Sequence, residues 1–207
     1  EDYDWQDVDW ETDKPIPADN WDIEWEAEEN IVYAVAVLQP ENSKVSGVVH
    51  CADAGSGVAI NYQIKGLTDG KHGFHIHEYG DLTDGCTSAC AHFNPDNEVH
   101  GGLETSVRHF GDLGNIESQK SISAGEIYLP KAELDSSKYG ILGRMMIVHA
   151  DPDDLGKGGD AESLKTGNAG KRLACGVIGL AEPPTHKQAE SKMNLELGQQ
   201  DPNDSNR

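Results

Sequence analysis

Between Ile31 and Ala181 the chain consists almost entirely of short β-branched and apolar runs cut by Gly, Asp, Asn and Pro. The stretch VAINYQI (58–64) alternates strictly, with Val58, Ile60, Tyr62 and Ile64 set against Ala59, Asn61 and Gln63. Successive strand side chains point to opposite faces, so such a segment buries one side and wets the other. IVYAVAVL (31–38), FHIHE (74–78), GEIYL (125–129), GRMMIVHA (143–150) and LACGVIGLA (173–181) have the same character, and no segment carries an amphipathic helical period. Many short strands separated by turn signals predict an all-β sandwich or barrel. Two stretches, 79–118 and 151–171, are rich in Gly, Asp and Asn and have little apolar period. Loops of that length inside a compact domain are functional or disordered.

The ends are different material. Residues 1–30 hold 13 Asp or Glu against Lys14 alone, together with all four tryptophans (Trp5, Trp10, Trp21 and Trp25). The segment from Pro183 to Arg207 is polar. Neither buries enough apolar surface to offset ordering entropy. This gives three parts: an acidic extension (1–30), a β domain (31–182) and a tail (183–207). The tryptophans leave open a docking role for the extension, whose acids suit cations or a basic surface. The formal charge of −21 does not suit nucleic acid as a partner. No apolar run approaches the ~20 residues of a membrane-spanning helix. The chain opens at Glu1 without an initiator Met, and NDS at 203–205 makes Asn203 an acceptor for N-glycosylation. Both favour an extracellular protein, with a cytoplasmic one as the alternative.

The strand FHIHE places His75 and His77 on one face, with Phe74 and Ile76 on the other. Four further histidines, His92, His100, His109 and His149, fall in the loops or at a strand end, and Asp112 follows His109 by three. Imidazole with carboxylate suits zinc, copper or nickel, whereas calcium and magnesium prefer oxygen. Six imidazoles and one carboxylate exceed one four-coordinate site. They fit two metals, particularly if one imidazolate bridges them, and spacing alone does not say which metals. His50 and His186 read as surface or tail residues. The four cysteines, Cys51, Cys86, Cys90 and Cys175, contain no C-x-x-C pair, so a thiolate zinc site is not indicated. Four cysteines permit three disulfide pairings.

GFHIHEYGD (73–81), GCTSACAHFNP (85–95), HGG (100–102), RHFGDLGNI (108–116), VHADPDDLGKGG (148–159) and KTGNAGKRLACGVIGLA (165–181) resemble copper/zinc superoxide dismutase, in family order. The resemblance implies an eight-stranded Greek-key barrel with two long functional loops. It also implies a homodimer or larger homo-oligomer. His75, His77, His92 and His149 match the copper ligands, while His92, His100, His109 and Asp112 match the zinc ligands, with His92 the bridge. Asp153 matches the carboxylate joining a copper-side to a zinc-side histidine, read as His75 and His100. Cys86 and Cys175 match the family disulfide. Cys51 and Cys90 are extra, either a second disulfide or one buried and one exposed thiol. Arg172 matches the guanidinium that attracts the anion beside the copper, Glu162 matches an acidic residue that shapes the same field, and Lys165 adds a local positive charge in the adjoining loop.

The implied activity joins two superoxide anions and two protons into dioxygen and hydrogen peroxide by copper redox cycling. In the family mechanism His92 leaves the reduced copper, takes a proton and supplies it in the second half-reaction. A screening length of ~8 Å keeps the acidic ends from dominating the copper mouth. The alternative is a secreted metal-binding or carrier protein on the same fold, and the intact donor set and Arg172 favour the enzyme. A zinc hydrolase ranks last, because the three-His, one-Asp set is closed to a catalytic water.

Overall fold

The computed structural model describes residues 31–183, which form ten strands joined by turns and loops. They are β1 (Tyr33–Pro40), β2 (Ser46–Asp53), β3 (Gly57–Lys65), β4 (Gly70–His77), β5 (Thr83–Cys86), β6 (Asp112–Ser118), β7 (Ile122–Pro130), β8 (Met145–His149), β9 (Arg172–Val177) and β10 (Gly179–Ala181). Eight form one antiparallel path in the order β6-β4-β8-β9-β1-β2-β3-β7, and β10 runs beside the start of β1. The two ends of the path, β6 and β7, are joined by a tight hairpin at Gln119–Ile122. The barrel is thereby nearly closed, which removes the open edges that invite association. The β3–β4 and β7–β8 connections cross the barrel, as a Greek key requires.

The alternation in 58–64 is realised: Val58, Ile60 and Ile64 are buried, and Gln63 is exposed. They join Leu38, Val49, Phe74, Ile76, Ile116, Leu129, Met146 and Val148 in one core. Each such side chain contributes about 1.5–3 kcal/mol on leaving water. β4 departs from simple alternation, because both its faces are buried from His72 to His77. Phe74 and Ile76 face the barrel interior. Its other face lies beneath the long loops 78–111 and 150–171.

Three differences from the sequence reading have local causes. The stretch 79–118 is not all loop, since it contains β5 and ends in β6. Asp112, Gly114 and Asn115 lower the strand propensity of β6, yet Asn115–Ser118 pair in register with Gly70–Gly73 of β4. Likewise β2, SGVVHCAD, is a strand through its pairing with β1 and β3. The run 173–181 breaks at Ile178, whose N–H and carbonyl bond to Arg144 and Gly143 at the start of the β8 region. Among the described residues the helical elements are short: a 3₁₀ turn, Thr87–Ala89, and α1 (Ser163–Thr166). Among the described residues no helix is long and apolar enough to cross a membrane. The acidic extension, His186, Asn203 and all of the tail except Pro183 lie outside the described residues.

Cys86 and Cys175 form a disulfide with Cα atoms 5.8 Å apart. It sits with Ala89, Met145 and Ile147 in a second, smaller apolar cluster under the first long loop. Cys51 and Cys90 do not pair. Cys51 is buried in the core, where burial pushes its thiol up to about 12, and Cys90 is exposed.

Candidate metal centre

The site grows from the outer face of β4, β8 and β9. In register, His75 lies opposite Ile147, and His77 lies opposite Met145. Irregular pairing between Val148 and His149 sets His149 opposite Arg172, and another between Gly73 and His75 sets Asp112 opposite His75. The loop 78–111 folds back over this face. Its return is fixed by Phe93 N–H donating to the Ile76 carbonyl (2.8 Å), Ile76 N–H to Gly111 (2.9 Å) and Gly111 N–H to Phe93 (2.9 Å). That crossing delivers His92 beside His77 and places His109 near Asp112.

Two donor groups result, each with ligand atoms within 4.8 Å of one another: His75, His77, His92 and His149, and His92, His100, His109 and Asp112. All seven residues are buried. His92 belongs to both groups. Its ring centroid is 4.0 Å from that of His75 and 5.4 Å from that of His109. In the first group, His77 Nε2 and His149 Nε2 approach to 3.3 Å. Their far nitrogens are spoken for, His77 Nδ1 at 2.9 Å from the Cys90 carbonyl and His149 Nδ1 at 3.1 Å from that of Gly170. In the second group, the Nδ1 atoms of His92, His100 and His109 lie 2.7, 3.0 and 3.2 Å from oxygens of Asp112. Asp153 sits between the groups, with one oxygen 2.7 Å from His75 Nε2 and the other 2.8 Å from His100 Nε2. These bonds leave His75 Nδ1, in the first group, buried without a hydrogen-bond partner.

The electrostatics divide along the same line. Burial and the neighbouring rings hold His75 and His77 well below the ordinary imidazole value. Burial also lowers His92 despite Asp112, and takes His149 down to about 4. At His100 burial is outweighed by Asp112 and Asp153, which raise it to about 9. Burial opposes ionisation of Asp112, yet hydrogen bonds from His100, His109 and His92 hold it far below the usual carboxylate range. The neutral imidazoles of the first group and the ionised Asp112 of the second are in the protonation states that metal ligation needs, and His100 must release its proton when a metal binds.

A family model for copper/zinc superoxide dismutase matches residues 45–178. The chain belongs to the copper/zinc superoxide dismutase family. It is 53% identical over 152 residues to a Cu-Zn superoxide dismutase of Paramecium bursaria Chlorella virus 1, covering 73% of this chain and 80% of that one. It is 48% identical over 152 residues to an extracellular Cu-Zn superoxide dismutase of Drosophila melanogaster, with coverages of 72% and 84%. The Schizosaccharomyces pombe relative is 50% identical over 157 residues, with coverages of 73% and 99%.

The copper and zinc of this superoxide dismutase family fit the residues present. Imidazole nitrogens and one carboxylate suit both ions, three histidines and an aspartate close a four-coordinate zinc set, and the first group presents an orphaned buried nitrogen, His75 Nδ1, that a metal would satisfy. The first group opens into a cleft of about 900 Å³ that also reaches Arg172, Lys165 and Glu162. Half-buried Arg172 is held there by the carbonyls of Cys86, Thr87 and Cys90.

Several supporting residues carried no sequence signal. The Cys90 and Gly170 carbonyls belong to the backbone and have no residue type to announce them. Asn115 brackets Asp153, with Nδ2 donating to the Asp153 carbonyl and Oδ1 accepting its N–H, both at 2.8 Å. Gly167, at φ +65°, lies where a β-carbon would strike Asp153 and His100. His72 is buried at 2.9 Å from the His149 carbonyl, consistent with a structural role.

Proposed function

We propose that the chain dismutates superoxide, joining two anions and two protons into dioxygen and hydrogen peroxide. The observation that carries this reading is the sharing of one buried ring, His92, by two donor groups, the first of which opens beside a guanidinium. In this reading His75, His77, His92 and His149 hold copper, and His92, His100, His109 and Asp112 hold zinc. Copper supplies the one-electron redox cycle, and zinc has no redox chemistry of its own.

The chain's residues supply the rest. Arg172 binds the substrate anion at the mouth, since its guanidinium lines the cleft and faces no carboxylate partner among the described residues. His92 Nε2 is the atom at which a proton is held and released, because Nδ1 is turned toward Asp112. Asp153 fixes the ring orientations of His75 and His100. Lys165 draws anions toward the cleft, and Glu162 limits their path. Steering of superoxide by local charge is an established property of this enzyme family.

Two further readings belong to the same proposal. Val37 (51% exposed) and Leu180 (71% exposed) leave apolar surface on β1 and β10, which a second copy would cover in a homodimer, measurable by light scattering. The extracellular relatives of Drosophila melanogaster and Brugia pahangi favour secretion. Metal analysis paired with superoxide consumption tests the main reading. Copper and zinc near one each per chain with fast turnover is expected, and full metal loading without turnover would overturn it in favour of a metal carrier.

A further inference from the structure

The cleft that leads to the first donor group is lined by three carboxylates and three cations, Glu78, Glu98, Glu162, Arg144, Lys165 and Arg172. Their formal charges cancel, an unexpected balance for a channel that collects an anion. The cations are unequal. Arg144 lies over the Phe93 ring, with Nε and Nη1 donating to the Gly140 and Glu78 carbonyls. Arg172, opposite His149 in the β8–β9 register, and Lys165, which forms no ion pair among the described residues, are the attracting cations in this reading.

The carboxylates are unequal too. In the loop 78–111, outside the cleft lining, Asp96 is paired with Lys138, 2.6 Å away. Glu98, two residues on, forms no ion pair among the described residues and is exposed in the cleft. Its backbone is pinned. Asn94 Nδ2 donates to the Glu98 carbonyl (2.8 Å), and Glu98 N–H donates to Asn94 Oδ1 (3.0 Å). Asn94 follows Phe93 and the shared ring His92, so the pinned segment holds an uncompensated negative charge over the anion's route.

We propose that Glu98 is a rate-setting residue for capture, an opposing charge that holds anion entry below what Arg172 and Lys165 would otherwise support. This rests on the dismutase reading above. It assigns Glu98 a role of its own beside Glu162, which also lines the cleft, and makes the encounter rate sensitive to ionic strength through this residue. One unit charge at roughly 10 Å in water changes the local anion concentration about two-fold, and the effect fades as the screening length falls from ~30 Å at 0.01 M salt to ~3 Å at 1 M.

The test uses the metal-loaded full chain as wild type, Glu98→Gln and Glu126→Gln. Glu126 is an exposed residue of β7 outside the cleft, and its substitution changes net charge identically. Glu98→Gln is expected to raise kcat/KM for superoxide about two-fold near 0.01 M salt, and to match wild type near 1 M. Copper and zinc content should be unchanged, and Glu126→Gln should match wild type throughout. Spectroscopic titration with azide as the anionic probe should give tighter binding for Glu98→Gln at low salt only. Equal kcat/KM at low salt, a gain that persists at high salt, an equal gain in Glu126→Gln, or altered metal content overturns the role. A wild type that binds azide yet consumes no superoxide overturns the dismutase reading instead, and the azide comparison then decides Glu98.

Discussion

His75 Nε2 and Asp153 Oδ2 stand 2.7 Å apart with both side chains fully buried. The same carboxylate reaches His100 Nε2, so one residue sets the orientation of a ring in each donor group. Both rings then present Nδ1 to their groups. Asp153→Ala removes that constraint without touching a donor atom. Affinity for zinc and copper is expected to fall about 10–100-fold, the usual cost of losing such a partner. Competition with a chelator of known affinity measures it, and a change below two-fold would sink the orienting role.

Arg172 makes a different kind of contribution. Its guanidinium rests on backbone carbonyls and touches neither donor group through a hydrogen bond. Arg172→Ala should lower kcat/KM for superoxide at least about ten-fold, the scale of one lost charge-assisted contact, while copper content stays near that of wild type. Arg172→Lys should recover only part of the rate, because an ammonium lacks the planar fork. Parallel loss of rate and copper would contradict a role in anion binding.

The disulfide joins residues 89 apart in sequence, and the Cys86 carbonyl is also an acceptor for Arg172. Closing a loop of that length stabilises the fold by about 4–5 kcal/mol through the unfolded chain. Cys175→Ser should therefore cost stability of that order in a urea titration. It should also lower kcat/KM at temperatures where the protein remains folded, since the turn that seats the guanidinium is released. A stability loss with an unchanged rate would separate the two roles of this segment.

The scaffold and donors were legible to unequal degrees. Strict alternation in 58–64 announced β3, because one of its faces meets the core and the other meets water. The H-x-H spacing announced a shared face for His75 and His77, because a strand repeats every two residues whatever lies above it. β6 was hidden, since Asp112 is there to hold rings and Gly114 and Asn115 serve the neighbouring loop. The family resemblance supplied the His92 and Asp153 assignments. No local pattern carries them, because the partners are 20 and 78 residues away and meet only once the loops close. The ring acceptors at Cys90 and Gly170 are carbonyl oxygens, which any residue possesses.

Stability of the metal-free chain should fall as pH drops below ~6.5. Burial lowers His75, His77, His92 and His149, the last to about 4, so in the folded state these rings stay neutral while the unfolded chain takes up protons near 6.5. Their contribution is present above ~6.5 and is lost on acidification toward 4. His100 works in the other direction. With its folded value raised to about 9, its contribution is complete below ~6.5 and disappears as pH rises through 9. Asp112, held low, contributes above ~3.8 and adds no slope near neutrality. The urea midpoint of the apo chain should therefore be highest close to pH 6.5. A midpoint unchanged between pH 6.5 and 5 would contradict the burial of these rings in the metal-free protein.

Cys90 adopts φ +60° and ψ −139°, backbone space that side chains other than glycine rarely enter. Its carbonyl must point where both His77 Nδ1 and Arg172 can reach it, and that demand fixes the peptide against the preference of the residue. Strain of this kind costs on the order of 1–3 kcal/mol, partly offset by the greater freedom glycine has in the unfolded chain. Cys90→Gly should therefore raise the urea midpoint, by about 1 kcal/mol in net stability, and leave metal content and kcat/KM unchanged because the carbonyl stays in place. A decrease in stability would mean that the thiol makes a packing contribution larger than the backbone strain it imposes.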